Sequence, residues 1–137
     1  MNILVDTSVW SLALRRAAPA HPARHRLEEL ILDGRASLIG PIRQELLSGV
    51  KVIAQFNLLR EKLQAFTDIE LQSHDYEEAA SFFNECRKHG IQGSNTDFLI
   101  CAAAARRDLP IFTMDKDFIR YAEFVPISLY VNSEADE

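Results

Sequence analysis

At 137 residues, with 47% hydrophobic and 26% charged, the chain suits one domain that can bury a single sizeable core. Its net charge of −5 argues against a grip on nucleic acid through a broad basic face. No stretch approaches the ~20 apolar residues that span a bilayer, and the N-terminal apolar run is too short for a signal peptide, so a cytoplasmic protein without a membrane partner is expected.

Asn2–Val5 reads as a short buried strand that stops at an acid, Asp6. Thr7–Leu14 fits a helix entering the core through Val9, Trp10 and Leu12. A loop, Ala17–Pro22, precedes a helix from Ala23 that carries Leu27, Leu30 and Ile31 and ends at Gly34. Ala36–Ile39 is a second strand; Gly40-Pro41 then opens a helix through Leu47. The next helix has Val52, Ile53, Phe56, Leu59 and Leu63 on one face, and Phe66–Ile69 is a third strand. Tyr76–His89 is a long helix with Ala79, Ala80, Phe82, Phe83 and Cys86 inward. Asn95–Arg107 is a strongly apolar helix, Leu109–Thr113 a strand, Asp117–Tyr121 a short helix and Pro126–Val131 the last strand. No repeat and no linker divides the chain, so residues 1–131 read as one domain and 132–137 as an acidic, disordered tail.

Short unbroken apolar strands alternating with helices predict an α/β fold with a parallel sheet covered on both faces. In such sheets, sites form beyond the carboxyl ends of the strands. Four acids fall there: Asp6 after the first strand, Glu45 in the helix after the second, Asp97 in the first turn of the apolar helix, and Asp115 after the fourth strand. Each also has an ordinary structural explanation. Asp6 and Asp115 can cap helices, Asp97 can complete a capping box with Ser94, and Glu45 can be a surface acid favoured by the helix dipole.

A cap needs no crowd, however. Carboxylates converging within about 4–6 Å repel one another and raise each other's pKa. Cations between them relieve that cost, and an all-oxygen set suits Mg²⁺ or Mn²⁺. Ions held there can bind a phosphodiester, activate water and stabilise the leaving oxygen, so an acidic protein can still act on nucleic acid. His21, His25, His74 and His89 are scattered, and Cys86 and Cys101 lack ligand spacing, so these read as structural or surface residues and the cysteines as reduced. Thr7, Ser8 and Thr113 can orient the acids or bond local backbone. Arg43 and Lys116 adjoin the acids and can meet flanking phosphates or solvent, and Asp117 can add a ligand or face water.

The ordered set D-T-S, R-Q-E-L-L-S-G, D-F-L-I-C-A-A-A and T-M-D-K-D-F resembles the motifs of PIN-domain ribonucleases, in particular VapC-type toxins of toxin–antitoxin pairs. The resemblance runs from Asn2 to about Val131. It implies a PIN-like three-layer α/β/α sandwich with a short, mostly parallel sheet of about five strands. It implies a metal-dependent endoribonuclease in which Asp6, Glu45, Asp97 and Asp115 are catalytic and Asp6 and Asp97 hold Mg²⁺ or Mn²⁺. It also implies an RNA substrate, a homodimer and a cognate VapB-like antitoxin. Two other readings compete. A PIN-like interaction module would keep the acids without catalysis. An aspartate-based phosphatase would want an acid two residues after Asp6, where this chain has Ser8.

Overall fold

The computed structural model describes residues 1–15 and 21–130. The elements are β1 (Ile3–Val5), α1 (Thr7–Leu14), α2 (Pro22–Leu32), β2 (Ala36–Ile39), α3 (Gly40–Leu47), α4 (Ile53–Leu63), β3 (Asp68–Ile69), α5 (Ser73–Lys88), α6 (Asn95–Arg107), β4 (Ile111–Phe112) and α7 (Asp117–Tyr121). The strands form a parallel sheet in the order β3-β2-β1-β4. Leu4 pairs with both Ser37 of β2 and Ile111 of β4, so β1 lies inside the sheet. None of Ile3, Leu4 and Val5 exposes any surface, which requires cover on both faces of the sheet. That burial explains the missing polar alternation in β1.

The chain leaves β1 toward β2 and β3 on one side, while β4 joins on the other. The topological switch therefore falls between β1 and β4, where open α/β sheets place their sites. The Asp6 N–H donates to the Phe112 carbonyl at 2.8 Å, so the β1–β4 ladder continues to the acid itself. Trp10, one turn into α1, is fully buried, donates its Nε1 proton to the Val5 carbonyl at 3.0 Å and packs edge-on against Phe66. These contacts fix the angle at which α1 leaves the strand.

Helix α6 is apolar nearly all round, and Phe98, Ile100 and Cys101–Ala104 are buried. It packs most extensively on α5. The two are locked at the far end from the site by Asp75, which has no exposed surface. Its carboxylate accepts from Arg107 at 2.7 and 2.9 Å, pairs with Arg106 at 3.1 Å, and caps α5 by accepting from the Gln72 N–H at 2.8 Å. The Arg107 guanidinium holds its pKa at about 2.

Several expectations need correction. Phe66 and Thr67 precede the third strand, and β4 is shorter than Leu109–Thr113, because ladder pairing extends no further. The last strand reduces to one bridge, Leu129 against Ile111. Proline 126 lacks an N–H, and Ile127 N donates to Val125 O in a tight turn around it, so that segment cannot run extended. Val131 lies outside the described residues, as do positions 16–20 of the first loop and the tail at 132–137. The face expected on α4 is only half formed: Leu59 and Leu63 are buried, but Val52 and Ile53 are 54% and 74% exposed. They stand at the start of the helix, before it reaches the core. Ala80 on α5 is also exposed. No helix of the described residues is long and apolar enough to cross a membrane.

Candidate active site

Asp6, Glu45, Asp97 and Asp115 line one open cleft of about 610 Å³ at the carboxyl edge of the sheet, with Thr7, Ser8 and Thr96 among its walls. Four stretches of chain meet there: the β1–α1 junction, α3, the first turn of α6 and the segment after β4. Among the described residues, no Lys, Arg or His lines the cleft.

Asp6 is both a cap and a site residue. It is the N-cap of α1, accepting from Ser8 N at 3.4 Å, and is only 4% exposed. Its Oδ2 also accepts from the Ser8 hydroxyl at 2.7 Å and the Thr113 hydroxyl at 2.8 Å. Those hydroxyls in turn accept from the Met114 and Asp115 N–H groups, each at 3.0 Å. Each hydroxyl thus accepts an N–H and donates its one proton at short distance to Asp6, with the two hydroxyls 3.4 Å apart. Thr113 bonds local backbone and orients Asp6 at once, whereas Ser8 orients Asp6 and meets the remote backbone N–H of Met114.

Asp97 follows a different local rule. Ser94 caps α6 and accepts from the Asp97 N–H at 3.0 Å, which is half of the expected capping box. The other half does not form. The Asp97 carboxylate instead accepts from the Tyr121 hydroxyl at 2.7 Å through Oδ2. Burial pushes its pKa up, the Tyr121 donor pulls against that, the charges of Asp6 and Asp115 push it up further, and the Ser94 hydroxyl lowers it a little. The three aspartates thus feel one another across the cleft. Burial, with the Asp97 acceptor, holds the Tyr121 phenol well above its ordinary range.

Asp115 accepts from the Asp117 N–H at 2.9 Å through Oδ1, shaping the turn into α7, while Asp117 itself is exposed and does not line the cleft. Glu45 stands at the exposed rim and accepts from the Thr7 hydroxyl at 2.7 Å through Oε1. A common pattern results. Each carboxylate has one oxygen held by a close protein hydroxyl or N–H, and among the described residues the other oxygens of Asp6, Glu45 and Asp115 have no protein partner. No side-chain polar atom of the described residues is both buried and unpartnered, so the second oxygen of the nearly buried Asp6 reaches solvent in the cleft.

This donor set fits a hard divalent cation, being all carboxylate and hydroxyl oxygen with no competing cation. Among the described residues no three Asp, Glu, His or Cys side chains close into a cage around an ion, which departs from tight convergence of all the acids. The cleft is built as Mg²⁺ sites commonly are, with one or two carboxylates and room for water and phosphate. Asp6 is buried, Asp97 and Asp115 are half-buried, and Glu45 is exposed.

The flanking cations divide. The Arg43 guanidinium is committed elsewhere, donating to Asp68 at 2.7–3.2 Å and to the Leu63 and Phe66 carbonyls at 2.9 and 2.8 Å. It ties α3 to β3 and the end of α4, so the reading of Arg43 as a phosphate contact is withdrawn. Lys116 is exposed beside Asp115. His21 caps α2 by accepting from Ala23 N at 3.0 Å, and His89 stacks on Phe124. Burial raises the pKa of both Cys86 and Cys101, consistent with inert core thiols. No local pattern marks Tyr121 as a partner of Asp97, since the two are 24 positions apart.

The family model described as the PIN domain matches residues 3–124. The chain belongs to the PIN domain family. This PIN domain is also similar in fold to solved structures, among them a member of the VapBC family of toxin–antitoxin systems. One is FitAcB from Neisseria gonorrhoeae, at TM-score 0.75 and 23% identity, covering 94% of this chain and 96% of that one. Another is VapBC2 from Rickettsia felis bound to a promoter DNA fragment, at TM-score 0.74 and 15% identity over 95% and 98% of the two chains. A third is VapBC-5 from Mycobacterium tuberculosis, at TM-score 0.69 and 19% identity over 96% and 98%. Compared by sequence, no curated protein matches the chain.

Proposed function

We propose that this PIN domain is a Mg²⁺- or Mn²⁺-dependent endoribonuclease and the toxin of a toxin–antitoxin pair. The observation that carries the reading is the cleft itself. Asp6, Asp97 and Asp115 come from separate parts of the chain, and all three line one cleft. Nuclease activity is the general function of PIN domains. Asp6 and Asp97 would hold the ion, and a bound ion would supply an activated water and charge relief at the phosphodiester. Ser8 and Thr113 hold Asp6 in its orientation. Thr7 keeps Glu45 at the rim, where it and Asp115 can position the attacking water. RNA as the substrate is supported by the resemblance of the four motifs to VapC-type toxins.

The antitoxin partner draws support from the structural neighbours and from a surface on this chain. Val52, Ile53 and Leu58 are exposed beside a groove of about 470 Å³ lined in part by Leu14, Arg15, Lys51 and Lys62. An amphipathic acidic segment would cover that apolar and basic groove. A homodimer is part of the same proposal. The exposed Tyr76 and Ala80 flank a shallow groove between α5 and α6 that a second copy would cover, and light scattering of the antitoxin-free protein tests it.

The deciding experiment uses protein freed of antitoxin. It should cut RNA with Mg²⁺ or Mn²⁺, stop on chelation, and lose cutting in Asp6→Asn while its circular dichroism is unchanged. An Asp6→Asn protein that cuts as fast as wild type overturns the assignment. A wild-type protein that binds its antitoxin and cuts nothing is an interaction module instead.

A further inference from the structure

We propose that Tyr121 is a positioning residue for the site: its hydroxyl takes the Asp97 carboxylate away from the backbone of its own helix and sets it for a divalent ion. The inference rests on the metal-site reading above. At the third residue after the Ser94 cap, an acid ordinarily reaches back to the cap's N–H. In this chain that return bond does not form, although Ser94 makes its own half. The Tyr121 hydroxyl at 2.7 Å occupies Oδ2 and is the stronger of the two hydroxyl donors that stabilise the carboxylate, the Ser94 hydroxyl being the weaker. The phenol has no other side-chain partner among them, so its hydroxyl is dedicated to this one carboxylate.

The ring is held firmly enough to act as a fixed donor. Tyr121 has no exposed surface and packs against Phe98 at 5.0 Å and edge-on against Phe118 at 5.2 Å between centroids. Gly93 provides the space. A Cβ at position 93 would fall on the Tyr121 hydroxyl, 2.8 Å from its Cζ and 2.9 Å from Phe98 Cε2. The atoms it would meet belong to buried rings, which cannot swing aside as a long surface side chain would. Gly93 carries no left-handed φ, so the absence of a side chain serves close approach rather than backbone freedom. Two residues that look unrelated in sequence thus serve one carboxylate: Tyr121 donates to it and Gly93 admits the donor.

A hydrogen bond to the oxygen that does not face the ion fixes a ligand's orientation and tunes its affinity for metal, and losing such a partner costs about 10–100-fold in binding. The test is Mn²⁺ binding by calorimetry, together with the Mn²⁺ dependence of cleavage, in wild type and Tyr121→Phe. The variant keeps the ring and its packing. It should bind Mn²⁺ about 10-fold more weakly, while its turnover at saturating Mn²⁺ stays within about threefold of wild type. Gly93→Ala should weaken Mn²⁺ binding similarly, and the double variant should be no worse than the weaker single one. Loss of thermal stability in Tyr121→Phe with Mn²⁺ affinity within about threefold of wild type would show a packing role only and overturn the proposal. Wild type that takes up no Mn²⁺ would remove the metal reading itself, an outcome distinct from equal binding by wild type and variant.

Discussion

The lock between α5 and α6 makes a quantitative prediction. Asp75 is fully buried, and its pKa is held at about 2 against an ordinary 3.8. That gap corresponds to about 2 kcal/mol of stability. Breaking a buried ion pair can cost 3–5 kcal/mol when the surviving charge is stranded. Here Arg107 is 27% exposed and keeps its bonds to the Glu70 and Ala103 carbonyls, so water and backbone soften the loss and the lower figure applies. Asp75→Asn should therefore destabilise the protein by about 2 kcal/mol at pH 7, which lowers Tm by several degrees for a chain of this length. The pH dependence has a defined sign. A carboxyl whose folded pKa is depressed contributes fully above its unfolded value and loses that contribution as pH falls through the folded one. The gap between wild type and Asp75→Asn should stay constant from pH 7 to about 5, shrink below pH 4 and close near pH 2. Urea unfolding at a series of pH values reads both effects. Equal stability at pH 7, or a gap that does not change on acidification, would refute the assignment of that stability to the ionised pair.

The site yields further predictions. Thr113→Val removes one donor to Asp6 and the acceptor of Asp115 N, and should lower cleavage about 10-fold, with Thr113→Ser near wild type because it keeps the hydroxyl. Arg43→Ala should cost about 2 kcal/mol in unfolding experiments, because it strands Asp68 and two carbonyls, and leave the KM for RNA unchanged. At about 100 times its dissociation constant, Mn²⁺ should stabilise wild type by about 2.7 kcal/mol in thermal unfolding and leave Asp97→Asn unmoved.

The acids were legible in the sequence because β1 and the residues before Asp115 read as strands and an acid at a strand's carboxyl end has few places to go. The helices were legible from apolar spacing and from breakers such as Gly34 and Gly90, which adopt positive φ where α2 and α5 end. The weak points were those set by long-range pairing. Whether Phe66 or Ile127 joins a strand depends on a neighbour's backbone, which no local pattern encodes. Arg43 looked free because its partner, Asp68, lies 25 positions away on another element. Tyr121 looked like an ordinary apolar residue at a helix end. Its hydroxyl matters only because the fold lays α7 against the first turn of α6, and Gly93 was unremarkable for the same reason. Local sequence also favoured a full capping box at Ser94, and the tertiary bond from Tyr121 overrode it.

The most direct measurement of the central claim is an anomalous difference map from crystals of the antitoxin-free protein soaked in Mn²⁺. A peak within bonding distance of both Asp6 and Asp97 is the predicted result. An empty cleft at millimolar Mn²⁺, or a peak bound to one of these aspartates with the other turned away, would contradict it.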